Sequence, residues 1–293
     1  MKICVEKLLP RAVRETDKDF AAFLTARIWP LGSVLTISFM NNPDEGNVFG
    51  ITKAPREAVK IDPLQKVFEK DDKNGVLDIK SAVKQIILER YTPLLPLLTL
   101  KFVNDKDVSA KIRIKFDQSQ GCWSKVGTAA LEVPEDQQTL NFGWFDVGTV
   151  LHEFGHVIGL IHEHQNPKGN TIKWNVEKLD DYMAEANQWT PEEVQRQIID
   201  RYRQSQINGS AYDPTSIMLY FYPPELTLNN KGTSQNMVLS DVDKKTILSV
   251  YGRDTNLDDN VGGGVAKTKS NGWLILIVVI LLIFVARRFL KMT

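Results

Sequence analysis

The chain has 293 residues, of which 43% are hydrophobic and 25% are charged, a composition typical of a globular protein and unlike that of a disordered chain. Its 36 basic residues balance its 36 acidic residues, so no net charge attracts nucleic acid and we expect no nucleic-acid partner. Cys4 and Cys122 are the only cysteines, which excludes a disulfide framework and a thiolate metal cluster. Function must therefore be argued from a local site.

The first half of the chain predicts strands and one helix. Residues 33–39 alternate in polarity and are rich in strand-forming residues, and residues 112–116 and 139–144 have the same character, which indicates sheet strands. Residues 79–91 carry apolar side chains at helical spacing and stop just before a Thr-Pro pair, so we expect a helix there.

The second half predicts helices and irregular chain. A Thr-Pro-Glu-Glu box at residues 190–193 should open a helix toward Tyr202, because threonine caps it and proline suits its first position. A Ser-Asp-Val-Asp box at residues 240–243 should start a shorter helix that runs to Tyr251. Strands with one helix, followed by helices and loops, favour an α+β fold over a doubly wound sheet.

An apolar run lies near the C-terminus of the chain. Residues 273–286 contain no polar side chain, but the run is shorter than the roughly 20 residues that a bilayer needs, and buried core helices often have that length. Because it is apolar all round and lengthens if Arg287 and Arg288 extend to the interface, we predict a single transmembrane anchor whose orientation is left open. The predicted parts are an N-terminal segment at 1–28, a folded domain at 29–252, a flexible Gly-rich linker at 253–271 and the membrane anchor at 272–290.

One unbroken stretch, HEFGHVIGLIH, begins at His152. His152 and His156 are four residues apart, so on a helix they point to one side and can share a metal ion. Glu153 is then near enough to reach a metal-bound water without being a ligand. Gly159 lets the backbone leave the helix with positive φ and bring His162 back to the ion. Three nitrogens with one open position are typical of a catalytic site for one zinc ion.

The histidine content supports a metal site over chance. A lone His-Glu-x-x-His occurs in many unrelated helices, and a single buried histidine is usually structural. All four histidines of this chain, however, lie between residues 152 and 164. The spacing of His164 does not fit the ligand pattern, so we expect it to be a rim or structural residue.

The extended motif resembles that of the metzincin metallopeptidases, and Ser-Ile-Met-Leu-Tyr at residues 216–220 resembles their Met-turn. Glu163 directly after the third histidine, and Tyr220 two residues after Met218, resemble astacins most closely. Phrases such as Gly-Cys-Trp-Ser at residues 121–124 resemble a microbial and fungal group of astacin-like peptidases.

The resemblance implies a metzincin-like α+β catalytic domain with a twisted mixed sheet, an active-site helix and an irregular, largely helical C-terminal subdomain. Met218 would form an apolar floor beneath the metal, and Tyr220 would be a catalytic donor to the oxyanion. An extended substrate would add to a sheet edge, for which an ordinary buried strand is the alternative. That edge would comprise Thr139, Leu140, Asn141, Phe142, Gly143 and Trp144.

Residues 164–167 depart from the family pattern. They read His-Gln-Asn-Pro where animal astacins have arginine and aspartates, and the disulfides of those secreted enzymes are missing. Pairing of a freed N-terminus with Glu163 is therefore not implied.

We thus predict a zinc-dependent endopeptidase that hydrolyses peptide bonds of protein substrates with a zinc-activated water and Glu153 as general base. The alternative is a membrane-anchored, zinc-containing binding or structural module without catalysis. Such a module would need neither Glu153 nor Tyr220, and both are present.

Overall fold

The structure is a computed structural model that describes residues 23–43, 79–208 and 211–252. All of the described residues belong to a single compact unit. The predicted linker and membrane anchor lie outside the described residues, as does most of the predicted N-terminal segment. Among the residues that are described, no helix is long and apolar enough to cross a bilayer.

The described strands are β1 Phe23–Leu24, β2 Val34–Phe39, β3 Thr99–Phe102, β4 Ile112–Phe116, β5 Trp123–Ser124, β6 Leu140–Phe142 and β7 Ile207–Asn208. Strands β2 to β6 form a five-stranded mixed sheet in the order β3-β2-β4-β6-β5, in which only the β6–β5 pair is antiparallel. Strands β1 and β7 pair antiparallel in a separate two-stranded sheet.

The described α-helices are α1 Ile79–Tyr91, α2 Val147–Val157, α3 Val176–Asn187, α4 Pro191–Val194 and α5 Asp241–Tyr251. The predicted bounds of α1 are confirmed, and the capping boxes at Thr190 and Ser240 are both formed. The helix opened at Thr190 is shorter than predicted, because α4 passes into a π-helical turn, Gln195–Ile199, and ends there. Helix α3 was not predicted.

The main hydrophobic core lies between the sheet and the helices α1 and α2. Leu35 of β2, Ile114 of β4 and Phe142 of β6 are fully buried, as expected for inner strands covered on both faces. The Tyr91 hydroxyl of α1 donates to the Leu151 carbonyl of α2 at 2.5 Å. The helix that carries the histidine motif is therefore fixed to the centre of the domain.

A second core is built from the residues that follow the histidine motif. Its members are Trp174, Leu179, Met183, Val194, Ile198, Tyr222 and Leu226. Tyr220 is partly buried and packs against both cores. The domain thus consists of a sheet-containing part and a largely helical part, as an α+β metzincin-like fold requires, and Tyr220 lies where they meet.

The predicted substrate edge is wrong in its position. Residues 139–144 contain β6, which is flanked by β4 on one side and by β5 on the other. The whole segment is buried. Among the described strands the edges are β3 and β5, and β5 returns antiparallel after Gly121, a glycine at φ +68°. A strand of only two residues has no alternation by which it could be recognised in the sequence.

Gly127 is expected to be a strongly constrained glycine. Its φ is +50°, and a Cβ added there would lie 1.8 Å from the backbone oxygen of Arg27. We expect Gly127→Ala to lower the free energy of unfolding by about 3 kcal/mol or more. The matched control is Gly32→Ala, at φ +82° with nothing within 4 Å, which should cost about 1 kcal/mol. Urea unfolding measures both, and equal losses would contradict the steric argument.

Candidate metal centre

Helix α2 begins at a well-formed cap. The Asp146 carboxylate accepts from the Thr149 backbone N–H at 2.7 Å, which satisfies one of the free donors at the helix start. His152 and His156 follow one turn apart, with exposed fractions of 5% and 0%. Gly159 has a φ of +107°, the left-handed backbone that we predicted, and the chain turns there toward His162.

The structure brings the three predicted ligands together. One ring nitrogen from each of His152, His156 and His162 lies within 4.8 Å of the others. The Nε2 atoms of His156 and His162 are 3.0 Å apart, and all three side chains are buried. Zinc bonds of about 2.0–2.1 Å in a tetrahedron separate two ligand nitrogens by about 3.3 Å. The spacing therefore suits one small cation.

Backbone carbonyls orient two of the rings. His152 Nδ1 lies 2.8 Å from the Ile217 carbonyl oxygen, and His156 Nδ1 lies 2.8 Å from that of Leu160. Because a carbonyl only accepts, each Nδ1 carries the proton and donates it, which leaves Nε2 as the lone-pair nitrogen. In both rings the unprotonated Nε2 is thus the nitrogen that can bind a shared cation.

Burial keeps the rings neutral. It lowers the pKa of His152 to about 4 and that of His162 well below its usual value. For His162 the neighbouring histidines lower the pKa further. Neutral imidazole is the form that binds a metal ion, so the ligands are ready for a cation at neutral pH.

The other predicted residues surround the triad. Glu153 follows His152 on α2 and is fully buried. Met218 is also fully buried, and a Cβ added at Gly155 would lie 2.5 Å from its Sδ, so the thioether packs against the helix between the two histidine turns. The Tyr220 ring centroid lies 5.0 Å from that of His152 and 4.3 Å from that of His162.

Comparison with known proteins agrees with this geometry. The family model "Astacin (Peptidase family M12A)" matches residues 96–251, more than half of the chain. This chain belongs to the astacin family. A solved structure of myroilysin, itself 32% identical, superimposes with a TM-score of 0.63 over 79% of this chain and 98% of that one. Astacin membership places the chain among the zinc metalloendopeptidases.

Two curated relatives match shorter stretches. Astacin-like metalloprotease toxin 2 from Loxosceles intermedia is 32% identical over 90 residues, which are 31% of this chain and 31% of the toxin. Zinc metalloproteinase nas-36 from Brugia malayi is 35% identical over 68 residues, which are 23% of this chain and 11% of that protein. The matched stretches thus span about a third of the length of the toxin and about a tenth of that of nas-36.

The zinc that the astacin family requires fits the residues present. Three neutral imidazoles are a typical zinc donor set. His152 Nε2 is buried and makes no hydrogen bond with any described residue, which is costly unless the nitrogen has another partner. A zinc ion held by His152, His156 and His162 would satisfy this atom.

Glu163, which the astacin resemblance singled out, is hydrogen-bonded to two other residues of this chain. Its Oε1 accepts from Asn166 Nδ2 at 2.9 Å and from the Asp213 backbone N–H at 2.8 Å. Burial raises its pKa to about 8, although both donors favour the charged form. Glu163 therefore joins the third ligand to the segment that precedes the Met-turn.

His164 is structural and does not lie at a rim. It is fully buried, its Nε2 lies 3.1 Å from the Gln197 carbonyl oxygen, and its ring stacks on His162 with centroids 5.1 Å apart. Its ring packs beside the metal site, and its nitrogens are not among the three that are brought together there.

Sequence reasoning missed the carbonyls of Leu160 and Ile217 that orient the ligands. A backbone acceptor has no residue signature, and Ile217 reaches His152 from 65 positions away. The Met-turn resemblance was the only signal that residues 216–218 approach the site.

The lowered pKa values predict how acid affects zinc binding. Because protons compete for His152 only near pH 4, we expect the zinc dissociation constant to stay nearly constant from pH 7 down to about pH 5 and to rise steeply below that. A histidine of ordinary pKa, about 6.5, would already weaken binding near pH 6.5. Competition with a chelator of known pH dependence measures this, and a steady rise beginning at pH 6.5 would contradict the account.

Proposed function

We propose that this chain cleaves internal peptide bonds of protein substrates, with Glu153 as general base and Tyr220 as hydrogen-bond donor to the oxyanion. The observation that carries the proposal is the meeting of three buried histidines with Glu153 on the same helix and with the Tyr220 ring against two of them. Family membership supports the reaction class.

Zinc, when bound by the three histidines, supplies a Lewis acid that polarises the scissile carbonyl and makes water more acidic. The Glu153 carboxylate removes the proton from the attacking water and passes it to the leaving amine. The Tyr220 hydroxyl donates to the former carbonyl oxygen as negative charge develops on it. Met218, packed against α2, keeps the histidine-bearing turns in place.

The substrate is proposed to bind as an added strand along β5. Strand β5 stands at one end of the described strand order and pairs with β6 through Trp123 and Ser124. An extended peptide added to an end strand would make backbone hydrogen bonds along it. Helix α2 packs near β5, so a peptide at this edge would run past the histidine site.

The non-catalytic alternative is not favoured. A structural zinc site usually has four protein ligands, whereas three histidines meet in the described part of this chain. A binding module would also gain nothing from a carboxylate beside the first ligand.

Digestion of a denatured protein by the full chain tests the proposal. We expect products cut at internal bonds, and peptides that extend on both sides of the cleaved bond should be hydrolysed at least about tenfold faster than dipeptides, because they alone can occupy a strand edge. A chelator should stop cleavage and zinc should restore it. Removal of terminal residues only, or hydrolysis that persists in the chelator, would contradict an astacin-type endopeptidase.

We also propose that residues 272–290 anchor the protein to a membrane. The support is the sequence alone, an apolar run at residues 273–286 followed by two arginines. The full chain should partition into detergent and resist extraction by alkaline buffer, whereas a chain ending at Gly252 should not. Equal extraction of both would contradict the anchor.

A further inference from the structure

Asp243, the third residue of α5, holds the backbone of the Met-turn. It is 6% exposed. Its Oδ1 accepts from the Ser216 hydroxyl at 2.7 Å, and its Oδ2 accepts from the Ile217 backbone N–H at 2.8 Å. Ser216 Oγ in turn accepts from the Met218 backbone N–H at 3.0 Å. One carboxylate thus fixes two consecutive residues directly and the third through a hydroxyl.

Ile217 connects this carboxylate to a metal ligand. Its N–H donates to Asp243, and its carbonyl accepts from His152 Nδ1 at 2.8 Å. Ile217 lies outside any helix or strand, so no ladder of backbone hydrogen bonds sets the direction of its carbonyl. The position of the carbonyl that orients His152 is instead set from α5.

His152 and His156 differ in how far along the sequence the carbonyl that orients each ring lies. His156 donates to Leu160, only four residues along the same segment, whereas His152 depends on residues far away in the sequence. An error in the position of the Met-turn would therefore move His152 and leave His156 in place.

We propose that Asp243 is a positioning residue for the metal site, acting through the Ile217 peptide on the imidazole of His152. The inference rests on the proposed zinc site and adds a residue to it that neither contacts the metal ligands nor belongs to the motif. Hydrogen-bonding partners of metal ligands typically change metal affinity by about 10–100-fold when they are removed. Asp243 lies one hydrogen bond further from the ligand than the Ile217 carbonyl does. Its removal should therefore lower zinc affinity by a factor at the lower end of that range.

The test is Asp243→Asn in the full chain, with three readouts: the zinc dissociation constant by chelator competition, kcat and KM at saturating zinc, and the melting temperature of the metal-free protein. An asparagine has one acceptor oxygen where Asp243 uses two, so its amide nitrogen faces either the Ile217 N–H or the Ser216 O–H, and that donor loses its acceptor. We expect zinc to bind about tenfold more weakly, while KM stays within twofold.

Two control variants separate positioning from helix stability. Asp241→Asn removes a charge from the same helix turn at an exposed site whose side chain pairs with Lys244. Ser240→Ala removes the hydroxyl that caps α5 at the Asp243 N–H and donates to Asp213 Oδ2, and it leaves both bonds from Asp243 to the Met-turn. Both should bind zinc within twofold of the parent, even if Ser240→Ala melts at a lower temperature.

The inference is overturned if Asp243→Asn binds zinc like the parent, or loses no more affinity than Ser240→Ala. Should Asp243→Asn not fold, Ser216→Ala removes the hydroxyl that joins Asp243 Oδ1 to the Met218 backbone N–H, and unchanged zinc affinity in that variant would equally overturn the inference. A parent that binds zinc but hydrolyses nothing would contradict the proposed function and still allow the affinities to be compared. A parent that binds no zinc would overturn both.

Discussion

Replacing Glu153 by glutamine is expected to lower kcat by about 10²–10⁴-fold, the contribution usual for a positioned general base. Glutamine has nearly the same size and remains compatible with the fully buried position, but its amide cannot take up the proton of the attacking water. Because Glu153 is not among the grouped ligands, zinc should still bind with its parental affinity. The measurement is kcat on a quenched fluorescent peptide together with the bound zinc per chain.

Glu177→Gln is the control for the loss of a carboxylate. Glu177 lies exposed in the first turn of α3, so its replacement should leave kcat unchanged within twofold. If Glu153→Gln retained more than a tenth of the parental kcat with zinc bound, another group would have to be the base and the assignment would be wrong.

Tyr220→Phe is expected to lower kcat by about 10²–10³-fold with little change in KM, the loss usual when an oxyanion donor is removed. The ring should keep its place, because it is held between His152 and His164, with centroid distances of 5.0 Å and 5.5 Å. Only the hydroxyl disappears, and a donor that acts in the transition state affects kcat rather than KM.

Tyr222→Phe supplies a closely matched control. Tyr222 lies two residues further along, is fully buried, and its hydroxyl makes no hydrogen bond with the described residues. Its replacement should leave kcat within twofold of the parent. Equal losses in both variants would point to disturbed packing of residues 220–222 and would contradict a specific role for the Tyr220 hydroxyl.

The ligand set could be predicted from the sequence because its geometry is local. His152 and His156 are brought together by the helix repeat, and Gly159 marks the turn toward His162 with a residue that tolerates its φ of +107°. The bounds of α1 were predictable for the same reason, since its pattern of buried residues has helical spacing and a Thr-Pro pair follows it.

The sheet edge could not be predicted because it depends on pairing between distant residues. Trp123 and Ser124 are a strand only by virtue of Asn141 and Leu140 opposite them. The longer, more apolar segment around β6 gave the stronger strand signal, but in a mixed sheet such a segment is an inner strand. Helix α3 was not predicted, although its buried residues, Leu179 and Met183, are four positions apart, as one face of a helix requires.

The same limit applies to the residues that orient the metal site. The Asp243 carboxylate acts on the backbone of Ile217, and the contact between them joins the Met-turn to a helix 26 positions later. No spacing rule in the sequence connects an acidic residue at the start of α5 with the first histidine of α2. Such couplings become visible only when the chain is folded.

The account is tested most directly by titrating the metal-free full chain with zinc while bound metal and peptide hydrolysis are measured in the same samples. We expect activity to rise in proportion to zinc and to level off at one ion per chain, with His156→Gln binding far more weakly and remaining inactive. Hydrolysis by the metal-free chain, or one tightly bound zinc per chain with no hydrolysis of any peptide, would contradict a zinc endopeptidase built on His152, His156 and His162.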